Sequence, residues 1–303
     1  MLLVMLKQTV MMFLLMAVGF ILFRTKKLSE KGNREMGTIL LYLTLPCVII
    51  SSYMTHSSPE KLRLLGISAA AGAAALLVAI LMSRFFFGSR RRMEHFCCSF
   101  SNAGFIGIPV IEAVLGNEAV FFVATFIALL NVFQWVYGAP VLAGNGKNPM
   151  SSKLYTNPVL IAFVIGLILF FTQVKLPSVI TGAIGMLRSM NTPLAMIILG
   201  AYLGQMKLKE LFTDMWTYIC SAWKLIAIPV VTFGVLCLFP AEYLDIKIVV
   251  LIAASAPVGS NAPIFAERCG ADSAQAVRCV SMSTLFSIIT LPLIVAAAIA
   301  IWT

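Results

Sequence analysis

The chain has 303 residues, of which 60% are hydrophobic and 11% charged, with a mean hydropathy of +0.98; soluble domains carry roughly 25% charged residues. These figures exclude an ordinary soluble globule, a disordered chain and a disulfide scaffold, and leave a polytopic membrane protein. The net charge of +10, from 22 Lys+Arg against 12 Asp+Glu, is then first a matter of topology rather than of nucleic-acid binding.

Ten apolar stretches run along the chain, at 2–23, 36–53, 62–87, 94–115, 118–142, 156–174, 179–204, 211–239, 246–268 and 273–302. A spanning helix takes about 20 apolar residues, and a lipid-embedded backbone must satisfy itself internally. The stretches are continuous rather than alternating, so helices are expected and a β-barrel is not.

The first stretch is too long for a signal peptide, and Arg24, Lys26, Lys27, Lys31 and Arg34 follow it instead of preceding it. The second holds Thr44 and Pro46, and the third ends in Phe85–Phe87 beside Arg90–Arg92, which sets topology and can meet anionic lipid head groups. The fourth reads Ser101-Asn-Ala-Gly-Phe-Ile-Gly-Ile-Pro-Val110. Asn102, Gly104, Gly107 and Pro109 within one span break a helix, because proline removes a donor and clashes with the preceding turn. Asn131 and Gln134 share one face of the fifth stretch and read as interhelical hydrogen-bonding groups. The hydrophilic run around 144–152 is a short central linker. In the seventh stretch Arg188 precedes Asn191-Thr192-Pro193, and Lys224 lies well inside the eighth. The ninth is broken like the fourth, as Ser255-Ala-Pro-Val-Gly-Ser-Asn-Ala-Pro-Ile264. Arg278 opens the tenth as an interfacial anchor.

Fourteen of the 22 basic residues lie in or beside the connections after odd-numbered stretches, five on the opposite side and three inside stretches. The positive-inside rule then puts the odd connections in the cytoplasm and both termini outside. Five stretches per half means that two homologous halves would be inverted, 1–142 and 156–303 about a linker at 143–155, as in many secondary transporters. Pro109 to Gly116 matches Pro263 to Gly270 in spacing, and an acid follows each glycine by two residues, Glu118 and Asp272, placed to cap the next helix.

Matched breaks in both halves mark a transporter binding site. Pro109 and Pro263 are expected to begin half-helices, whose N-termini each carry about +0.5 of a charge. Two such termini converging make an anion site, with Asn102, Gly104, Ser260 and Asn261 beside it and Thr44, Pro46, Asn191 and Thr192 lining the gap between the repeats. Among the acids Glu112 lies well inside a span, which makes it a candidate for the coupling proton. Arg188 and Lys224 are candidates for attracting a carboxylate. The seven cysteines form no CxxC pair and read as small core residues; His56 and His95 make no ligand cluster. With no HExxH, no GxSxG and no metal set, neither an enzyme, nor a metal site, nor a cofactor is expected.

The runs SNAGFIGIPVIEAVLG at 101–116, MNTPLAMIILGAYLG at 190–204 and APVGSNAPIFAERCGAD at 256–272, with a looser match in LYLTLPCVIIS at 41–51, resemble the auxin efflux carrier family in its bacterial branch. The resemblance covers the whole chain, without the long central loop of many plant members. It implies an all-α membrane protein of ten helices in two inverted repeats, with crossed broken helices four and nine, similar to sodium/proton antiporters and bile-acid symporters. It implies that helices one, two, six and seven move as a unit, and that the asparagine of broken helix four, here Asn102, meets substrate. Bacterial relatives include malate and malonate permeases, and related carriers are often dimers.

The expectation is therefore a secondary carrier of a small organic anion in the bacterial inner membrane, with lipids as surroundings, proton or sodium coupling, and no nucleic-acid partner. The alternatives are a sodium-coupled symporter of the bile-acid type and a membrane ligand sensor that does not transport. The bile-acid symporters' sodium ligands are not recognisable by motif.

Overall fold

A computed structural model describes residues 2–144, 155–205 and 214–302. The described chain is helical, with no strand, and folds as a polytopic membrane protein. Twelve helical pieces follow in order: α1 (Leu2–Arg24), α2 (Glu30–Tyr53), α3 (Pro59–Phe87), α4 (Arg92–Ser99), α5 (Ala103–Leu115), α6 (Asn117–Ala143), α7 (Pro158–Thr172), α8 (Ser178–Gln205), α9 (Met215–Leu236), α10 (Leu244–Ser255), α11 (Ala262–Cys269) and α12 (Ser273–Trp302). Seven of them, α1, α2, α3, α6, α8, α9 and α12, are long and apolar enough to cross a membrane. The linker expected at 143–155 falls mostly outside the described residues, as do Lys147, Lys153, Lys207, Lys209 and the start of the eighth stretch.

Helix ends follow local chemistry. Ser58 accepts from the Lys61 N–H ahead of α3, with Pro59 in its first turn, and Asn157 accepts from Val159 and Leu160 ahead of α7. Helix α2 begins at Glu30, six residues before the apolar stretch, because Ser29 caps an exposed polar turn that hydropathy alone does not register. Of the two acids expected as caps, Asp272 accepts from the Gln275 N–H at 2.9 Å. Glu118 instead sits in the first turn of α6, since Gly116, at φ +82°, turns the chain directly into a tight 3-10 turn at Asn117.

Four prolines explain four wide turns. Leu40–Thr44, Ala103–Gly107, Gln134–Gly138 and Trp223–Ala227 are π-turns, and Pro46, Pro109, Pro140 and Pro229 each follow two residues after one. The residue before each proline donates to the carbonyl five back, which gives the ring room and absorbs its missing N–H. This corrects the role expected of Pro109. The half-helix starts six residues earlier, at Ala103, and Pro109 sits behind the π-turn. Pro263 lies in the first turn of α11, as its sequence context implies.

Helix α10 is buried without interruption from Ile246 to Ser255 and forms the centre of the molecule. Around it stand α3, α6, α9 and α12, while α1 packs along α8 and α2 along α7 as a second group. The α1–α8 crossing is made by glycines: a Cβ on Gly19 would run into the Ile197 carbonyl, and one on Gly200 into that of Met16. At one end of the first group, the buried Gln275 Nε2 donates to Asp214 Oδ2 at 2.8 Å and to Glu94 Oε1 at 3.4 Å, joining α4, α9 and α12.

Candidate functional site

The two interrupted helices cross at their breaks. The Asn102 N–H donates to the Pro257 carbonyl at 2.7 Å, the Gly259 N–H to the Phe100 carbonyl at 3.0 Å, and Ser101 and Val258 form a single antiparallel bridge. The Val258 N–H reaches Ser283 Oγ of α12 at 3.1 Å. Gly259 permits the approach, since a Cβ there would stand 2.9 Å from Asn261 Oδ1. Helices α5 and α11 start at this crossing, after Asn102 and Asn261 respectively.

A cavity of about 50 Å³ lies at the crossing, lined among others by Ser101, Asn102, Gly104, Asn131, Ser260 and Asn261. That volume holds a few waters at roughly 10–15 Å³ each. Asn102 is 4% exposed, and its Nδ2 and the Ser101 Oγ are buried without a hydrogen-bond partner among the described residues. A buried unsatisfied donor costs about 1–3 kcal/mol, so these atoms are primed for an acceptor that enters the cavity. The Asn261 amide is instead paired reciprocally with Gln134, and Asn131 accepts from Asn157 Nδ2 at 3.2 Å. Both polar residues of the fifth stretch thus bond across helices.

A larger cavity of about 260 Å³ adjoins the first, close to the lower end of small-molecule pockets, about 300 Å³. Its walls include Ile108, Glu112, Asn117, Arg188, Asn191 and Thr192. Two residues singled out separately meet here. Arg188 Nη2 lies 2.6 Å from Glu112 Oε1 and 3.0 Å from Asn117 Oδ1, while Nη1 donates to Ser51 Oγ at 3.3 Å. Asn191 stands between the cavities: its Nδ2 donates to the Gly104 carbonyl at 3.4 Å, and its Oδ1 accepts from Thr44 Oγ1 at 3.5 Å.

Nine of the thirteen residues expected at the site lie at the crossing, in the adjoining cavity or in the partition between them, while Pro263 sits in the first turn of α11 and lines neither cavity. Pro46 and Pro109 act behind it through their π-turns. Lys224 lines neither cavity; it is 1% exposed, near the thiols of Cys97, Cys98 and Cys220. Ser51, Asn117 and Asn157 were not singled out. The Asn-Pro at 157–158 carries a helix-start signal that could have found Asn157; Ser51 carries none.

The family model described as membrane transport protein matches residues 4–151 and 148–295. The chain belongs to this family, which includes the auxin efflux carriers. The chain is also similar to an uncharacterized transporter of Methanothermobacter thermautotrophicus, 30% identical over 196 residues, covering 63% of each chain. The chain thus spans about 63% of that relative's length. The protein is an integral membrane protein of this family.

Proposed function

We propose that this protein is a transporter that carries a small organic anion, a carboxylate or dicarboxylate, by alternating access, and that it is not an enzyme. The observation that carries the reading is the crossing, where α5 and α11 begin beside the unpaired Nδ2 of Asn102. Aligned peptide dipoles make each helix start favourable for negative charge, and an amide donor adds direction without a buried cation. Ser260 and the backbone at Gly104 complete the lining.

In this reading each interrupted pair makes one crossing of the membrane, as does α7, giving ten crossings in two inverted halves. The positive-inside count places both termini on the outer side of a bacterial inner membrane. The pair Glu112–Arg188 then faces outward. Helices α1, α2, α7 and α8 form the moving unit, which their mutual packing supports. A 50 Å³ crossing cavity fits a closed stage of the cycle.

The test is uptake into proteoliposomes of malate, malonate, other dicarboxylates and aromatic acids, with and without sodium and a pH gradient. Asn102→Ala is expected to abolish uptake while the protein purifies and folds as before. Unchanged uptake removes the substrate from the crossing.

A further inference from the structure

We propose that the Arg188–Glu112 pair is an exchangeable latch, in which the substrate carboxylate takes the place of Glu112 on Arg188 while Glu112 takes up a proton. This rests on the anion-carrier reading and adds the coupling ion to it.

In the proposed cycle the pair joins the moving unit to the helices that hold the crossing. Arg188 is on α8 and its second partner Ser51 on α2, whereas Glu112 is on α5 and Asn117 begins α6. A bond of 2.6 Å between groups that move against one another must break in each cycle. The pair is also open to the 260 Å³ cavity, with side chains 22% and 27% exposed, so a solute reaches both charges.

Charge argues for exchange rather than simple attraction. As it stands, Arg188 is neutralised by Glu112, and an entering anion meets no net positive charge. Arg188 Nη2 already holds Glu112 Oε1 and Asn117 Oδ1, so a substrate carboxylate bound at that nitrogen displaces Glu112. Ser51 and Asn117 keep the guanidinium in place meanwhile. The freed Glu112 then stands beside a second carboxylate with one cation between them, and a proton taken up in exchange keeps the charge of the cavity unchanged. Arg188 is the charged group that faces Glu112; Lys7 and Arg24 on α1, Glu118 on α6 and Asp245 and Lys247 on α10 do not line the cavity. One proton is bound for each carboxylate admitted, and movement of one unit past the other turns access to both from one side of the membrane to the other.

The experiment uses the full chain in proteoliposomes, with labelled malonate as probe and a pH-sensitive dye outside. Wild type is expected to take up malonate faster under an inward proton gradient, with one proton entering per carboxylate exchanged at Arg188. Glu112→Gln, nearly isosteric, is expected to transport without proton entry and without response to the gradient. Arg188→Gln is expected to raise KM by roughly 10-fold or more, as for a lost charge-assisted bond, and Arg188→Lys to recover part of it. Wild-type uptake without proton entry overturns the latch, whatever the variants do, and so does a Glu112→Gln variant that keeps the wild-type pH response. Failure of wild type to move any of the carboxylates overturns instead the anion-carrier reading on which the latch stands.

Discussion

Gln134 and Asn261 hold one another by both ends of their amides: Asn261 Nδ2 donates to Gln134 Oε1 at 3.0 Å, and Gln134 Nε2 returns to Asn261 Oδ1 at 3.3 Å. The pair fixes the start of α11 against the wide turn of α6. Gln134 is fully buried. Replacement by Leu leaves both amide atoms of Asn261 without this partner. The expected loss is about 1–3 kcal/mol in thermal unfolding of the detergent-purified protein, with reduced transport. A variant as stable as wild type contradicts this.

The glycine contact between α1 and α8 predicts a position-dependent effect along one helix. Gly200→Val pushes the Met16 carbonyl away and is expected to cost about 1–3 kcal/mol of stability, as overpacking does. Gly182→Ala on the same helix meets no atom within 4 Å and is expected to be neutral, or stabilising by up to about 1 kcal/mol. Melting temperatures of the two variants distinguish them.

Asn191 separates the two cavities, so its truncation should open them to each other. In a Ser260→Cys background, Asn191→Ala is expected to speed labelling of position 260 by a charged thiol reagent added from the Arg188 side. Equal labelling rates would show that another residue forms the partition.

Cys98 and Cys220 bring their sulfur atoms within 3.4 Å, across α4 and α9. A membrane-permeant oxidant is expected to link them in the folded protein, leaving a disulfide-joined peptide pair in mass spectra. Serine at either position should prevent that pair from forming.

The breaks were legible in the sequence because their causes are local. Asn102 and Gly259, like the Asn-Ala-Pro run at 261–263, disfavour a continuous helix wherever it lies, and a span so disrupted still has to satisfy its backbone. The exact start of α5 was less legible. Proline favours the first turn of a helix, and the π-turn that lets Pro109 sit deeper depends on how Ala103–Gly107 pack against α10. Lys224 shows the other limit. A lysine inside a span reads as functional, yet its surroundings are thiols from α4 and its own helix, which no spacing reveals.

Composition alone determined that the chain lives in a membrane as helices, because hydrocarbon tolerates few charges and no open backbone. The spacing of Pro, Gly and Asn determined where two of those helices break. Only the tertiary structure decided which separated residues meet. Glu112 and Arg188 are 76 positions apart and became a pair because α5 and α8 share one cavity wall. Asn191 became a partition because its amide reaches the carbonyl of a glycine 87 residues away. Such contacts follow from how helices cross, and crossing is set by glycine surfaces and buried amides acting together rather than by any one segment.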